Sequence, residues 1–74
     1  IASMNRYLNR VARRTVIVHT TTGQSLRGVL VGVYRDSIVL GHAAFLSGDS
    51  ATTIDGEVIV LRERVGWVQV IAGD

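Results

Sequence analysis

The stretch "GQSLRGVLVGVYRDSIVL", residues 23–40, decides the fold. It is an apolar strand interrupted by Gly28 and Gly32, with Gly23 at its entry. Glycine inside a strand costs stability and removes a packing side chain, so these positions mark places where the chain must bend. Gly28 and Gly32 share parity with Leu26, Leu30 and Tyr34, which puts them on one face of the strand. A missing side chain on that face lets the strand curl over its neighbour. The "TTGQ" just ahead is a turn in which Gly23 supplies a positive φ.

Working outward, residues 4–14 ("MNRYLNRVARR") are the one helical candidate. Met4, Leu8, Val11 and Ala12 fall on one face, and Arg6, Arg10, Arg13 and Arg14 gather on the other. The β-branched run "TVIVHTTT" is a first strand and Ser25–Tyr34 a second. After the short turn "RDS", Ser37 to about Phe45 is a third. The polar "SGDSATTIDG" is expected to be a loop. Glu57–Arg62 is a fourth strand, "ERVG" a tight connection, and Trp67–Ile71 a fifth. A short N-terminal helix followed by closely spaced, glycine-bent strands predicts a mainly β chain: a small, strongly bent, five-stranded antiparallel barrel.

Composition narrows the function classes. The 74 residues form a single domain. Residues 1–3, ahead of Met4, are expected to be a cloning remnant, leaving 4–74 as the domain. There is no cysteine, so disulfides and thiolate metal sites are excluded, and a reducing, cytoplasmic setting is expected. His19 and His42 lie far apart without ligand-like spacing to carboxylates, so no metal or other cofactor is expected. Apolar residues make up 47% of the chain, yet no apolar run approaches the roughly 18 residues of a membrane span. Ser, His and Asp occur without nucleophile–base spacing, and no glycine-rich phosphate loop opens a helix, so catalysis is not expected. The net charge is +2 and every basic residue is arginine, which permits nucleic-acid binding without demanding it.

A small core without disulfide or metal needs other support. The second, fourth and fifth strands are apolar on both faces, and one short helix cannot cover them all. The chain has no proline and no lysine to blunt a strand edge. Together these predict edge-to-edge pairing between copies, in a closed homo-oligomeric ring.

The element order and glycine spacing resemble the Sm-like proteins, most of all the small divergent forms of bacteriophage and environmental origin. In "LRGVLVGVYRDSIVL" the likeness to their first motif runs through Leu26, Gly28, Leu30, Gly32, Val33, Ile38 and Leu40. In "LRERVGWVQVI" the likeness to the second runs through Leu61, Arg62 and Val65. The resemblance implies rings of roughly five to seven subunits, joined by pairing the fourth strand of one copy with the fifth of the next. It also implies single-stranded RNA at the central pore, in the cytoplasm of a bacterial or phage-infected cell. Carried over by position, the RNA-binding candidates are Tyr34, Arg35 and Ser37 after the second strand, and Arg62 and Arg64 after the fourth. Tyr34 stands where the family has Asp, Ser37 near its Asn, and Glu63 in place of its second-motif Gly. Arg62 is the one direct match among the base-reading positions.

Each candidate has a plainer alternative. Tyr34 and Arg35 either stack a base and pair a phosphate, or close the barrel end beside a solvated turn. Arg62 and Arg64, two apart, either point together into a basic annulus or form cross-subunit salt bridges with Asp36 or Glu63. Trp67 is expected in the core or a subunit interface. The whole assembly is either an RNA-binding ring or a structural or adaptor ring, in a phage particle or another protein complex, that reads no nucleic acid.

Overall fold

A computed structural model describes residues 2–71, with side chains from Asn5 onward. Helix α1 (Ala2–Arg10) leads into strands β1 (Thr15–Thr20), β2 (Ser25–Val33), β3 (Ser37–Ser47), β4 (Ser50–Thr53) and β5 (Val58–Leu61). A single 3-10 turn (Arg62–Arg64) then connects to β6 (Val65–Val70). All pairings are antiparallel, in the order β4-β3-β2-β1-β6, with β5 also on β3. The expected small bent β architecture is present, with one strand more than expected.

That extra strand corrects the ten-residue loop. Ser50–Thr53 pairs with Ala44–Ser47, so β3 runs on past Phe45 into a hairpin. Gly48 turns that hairpin at φ +57°, and Gly56 turns the chain out of it at φ +78°. The segment reads as a loop because every β4 side chain is exposed, so no apolar alternation betrays the strand.

Helix α1 also differs. It begins before Met4 and stops at Arg10, and Arg13 then takes φ +72°, a left-handed conformation that turns the chain into β1. The turn is tied down on both sides, Arg13 N–H donating to Leu30 O and Leu30 N–H to Arg14 O. Leu8 and Val11 are buried as expected, whereas Ala12 lies past the helix end and is exposed. Met4 lies outside the described side chains.

The bends in the sheet occur at bulges. Between the β2–β3 pairs Arg27–Ala44 and Val29–Gly41, Gly28 alone faces His42 and Ala43. His42 is exposed there at φ +48°. A Cβ on Gly28 would lie 3.0 Å from Gly41 O and 3.1 Å from Leu40 Cβ, so only glycine fits inside this kink without a shift. A second bulge leaves Val31 unpaired between Leu30 and Gly32. A third sits at Gly66, where β6 slips against His19 and Thr20 of β1.

Inside the wrapped sheet, Val16, Val18, Leu30, Ile38 and Leu40 are fully buried, joined by Leu8, Val11, Ala43 and Val60. The strand parity of β2 holds only as far as the bulge: Leu26 and Leu30 pack toward this core and Val31 faces out, but beyond it Val33 packs against the core and Tyr34, expected on the face of Leu30, is exposed. β5 and β6 each keep one edge without a strand partner among the described residues. Trp67 is not in the core. It is 60% exposed and stacks on His19, with ring centroids 3.7 Å apart.

Candidate nucleic-acid interface

The turn after β2 and the turn after β5 meet at one end of the sheet. Their junction follows from strand register, since Ser37, first in β3, pairs with Leu61, last in β5. The chain on either side is thereby brought together and tied by Arg62. Its backbone N–H donates to Asp36 O at 2.8 Å, and its Nη2 donates to Tyr34 O at 2.9 Å. Tyr34 N–H donates to Ser37 O at 2.8 Å, closing the turn on itself. The result is an open cleft of about 690 Å³ lined by Arg35, Asp36, Leu61, Arg62 and Glu63, a size that accepts a nucleoside-sized group.

Arg62 is half-buried, and its remaining donors are unmatched. Nε and Nη1 are shielded from solvent with no hydrogen-bond partner among the described residues. A shielded guanidinium donor without an acceptor is costly, so this arginine is held by the two turns it ties rather than by a full set of bonds.

Tyr34 owes its posture to Gly32. The two residues share a strand face, and a Cβ on Gly32 would lie 2.8 Å from Tyr34 Cε2. The ring therefore lies against the bare glycine backbone, yet it stays 60% exposed. Such a ring presents a π surface at little ordering cost, as single-strand binders require.

The five sequence candidates fall into two places. Tyr34, Arg35, Ser37 and Arg62 are gathered at the junction of the two turns. Arg64 is exposed at the far end of the 3-10 turn, where its carbonyl accepts from Thr21 N–H, and it does not line the cleft. Of the two expectations for Arg62 and Arg64, a shared direction and cross-subunit salt bridges, the first requires them to alternate as residues of a strand do. In a 3-10 turn of about three residues per turn, positions two apart face different ways. Asp36, Leu61 and Glu63 line the cleft without having been singled out as ligand contacts. Their signal was positional only, as neighbours of Arg35 and Arg62.

No protein-family model and no curated protein matches the sequence. Solved structures do. The P. aerophilum SmAP1 heptamer is similar over 99% of this chain and 99% of that one, with 19% identity and a TM-score of 0.87. The Pyrococcus abyssii Sm protein in complex with a uridine heptamer is similar over 89% of this chain and 94% of its own, with 19% identity and a TM-score of 0.81. A chain of the NatC complex bound to CoA is 29% identical over 88% of this chain and 84% of its own, with a TM-score of 0.76. The chain has an Sm-like fold.

Proposed function

We propose that copies of this Sm-like chain close into a homo-oligomeric ring that binds single-stranded RNA where the two turns meet. The observation that carries the RNA reading is Arg62 tying the Tyr34–Asp36 turn to the β5 end, which gathers an exposed aromatic ring and two arginines at one junction. In this reading Tyr34 stacks a base, Arg35 and Ser37 contact the strand beside it, Arg62 fixes the two walls, and Arg64 adds positive charge along the path. The reading is non-catalytic and cytoplasmic.

The ring half rests on the free edges of β5 and β6. Their outward residues Ile59, Leu61 and Trp67 are 66%, 51% and 60% exposed. Pairing the two edges between copies would satisfy the open backbone groups and remove the exposed half or more of these side chains from water, each stabilising by roughly 1–2 kcal/mol. The similar archaeal Sm and SmAP1 proteins are heptamers. One of the similar Sm proteins was solved with uridine RNA.

Fluorescence anisotropy with short single-stranded RNA at low and physiological salt tests this reading. Binding should weaken steeply with salt, and Arg62→Ala should weaken it by about tenfold or more. Salt-insensitive signal, or full affinity in Arg62→Ala, contradicts it.

The NatC likeness favours a second reading, in which the chain is an adaptor within a protein assembly and reads no RNA. Affinity purification separates the two. A stoichiometric protein partner with no nuclease-protected RNA supports the adaptor, and protected RNA supports the ring.

A further inference from the structure

The cleft is not simply basic, and what its mixed charge implies for the choice of base rests on the RNA-binding reading. Two carboxylates, Asp36 and Glu63, line the same cleft as Arg35 and Arg62. Beside a polyanionic strand a carboxylate repels phosphate, unless it accepts hydrogen bonds from the ligand. Asp36 is held at the rim by its own backbone, since its carbonyl accepts from Arg62 N–H at 2.8 Å. Its side chain is exposed, next to the exposed Arg35.

Single-stranded RNA offers its base edges for such contacts. Guanine alone presents two N–H donors on adjacent atoms, N1–H and the 2-amino group, which match the two oxygens of one carboxylate. It also presents O6 and N7, the acceptor pair that an arginine fork takes bidentately. Uracil offers a single N–H between two carbonyls. Adenine and cytosine offer an amino group beside an unprotonated ring nitrogen, which faces a carboxylate lone pair to lone pair. Cytosine can give one amino hydrogen to a carboxylate, but only guanine meets an Asp and an Arg on one rim with two hydrogen bonds each.

We infer that this cleft is a guanine site, with the Asp36 carboxylate accepting from N1–H and the 2-amino group and the Arg35 guanidinium donating to O6 and N7. Tyr34, next in the chain, then stacks on the guanine or the base beside it.

The test is anisotropy with oligouridine and with the same oligonucleotide carrying one guanosine, inosine or 7-deazaguanosine. The guanosine version should bind about tenfold tighter or more than oligouridine. Inosine, which lacks the 2-amino group, and 7-deazaguanosine, which lacks N7, should each lose much of that gain. Asp36→Asn should erase the difference between the guanosine and uridine oligonucleotides, with circular dichroism confirming the fold. Equal binding of the guanosine and uridine versions overturns this inference and leaves RNA binding standing. Absence of binding to every oligonucleotide overturns both.

Discussion

The two flanks of the sheet are built on opposite terms. Where β2 crosses β3, glycine lets main chains approach: Gly28 sits 3.0 Å, by its absent Cβ, from Gly41 O, above a fully buried Leu30 and Leu40. Where β5 and β6 end the sheet, Ile59, Leu61 and Trp67 stand in water beside edges with no strand partner among the described residues. The first flank is completed by the chain itself. The second has the composition of an interior and the exposure of a surface, as expected of a face completed by another chain. The same contrast separates the glycines: Gly28 guards a backbone approach, and Gly32 leaves room for the Tyr34 ring.

The contrast can be broken by substitution. Leu30→Ala on the closed flank should cost the most, about 2–5 kcal/mol of subunit stability in chemical denaturation, because a fully buried side chain leaves a cavity. A loss below about 1 kcal/mol would mean that this flank is less tightly packed than its burial implies. Gly28→Ala comes next, at about 1–3 kcal/mol, since backbone must move to admit the methyl group. Gly32→Ala should cost less, because the atom it meets is the end of the Tyr34 ring, which can swing away. It should instead weaken RNA binding, and equal stability losses at Gly28 and Gly32 with unchanged affinity would erase the distinction between them. Leu61→Glu on the open flank should have the smallest effect on the subunit, within about 0.5 kcal/mol, because Leu61 is already half in water. Its effect should appear in the oligomer, as a shift to monomer by analytical ultracentrifugation with the β circular dichroism retained.

The sequence made the closed flank legible because its signals are local. Glycine parity along β2 placed Gly28 with Leu26 and Leu30 on one face, though the bulge at Val31 breaks that parity ahead of Gly32, and Gly23 has the positive φ its turn demands, +88°. Elements lacking such a signal were missed. Arg13 ends the helix in a left-handed conformation that glycine would have advertised, and β4 has no buried side chain to set a period. Trp67 reads as core or subunit interface by type, and its exposure removes the first of these, on the face of β6 that follows the bulge at Gly66. At the candidate site, Arg62 was found through the family resemblance. The cleft itself was not, because it depends on the Ser37–Leu61 register, which brings together residues more than twenty positions apart. Asp36 and Glu63 gain meaning only once that register is known.

Native mass spectrometry of the purified protein, with and without a short single-stranded RNA, tests the central claim that this fold is completed by its own copies and holds RNA. The spectrum should show one closed multiple of the 8.0 kDa subunit, and a further species heavier by the mass of bound oligonucleotide. A population of 8.0 kDa monomers at all concentrations, unchanged by RNA, would contradict it.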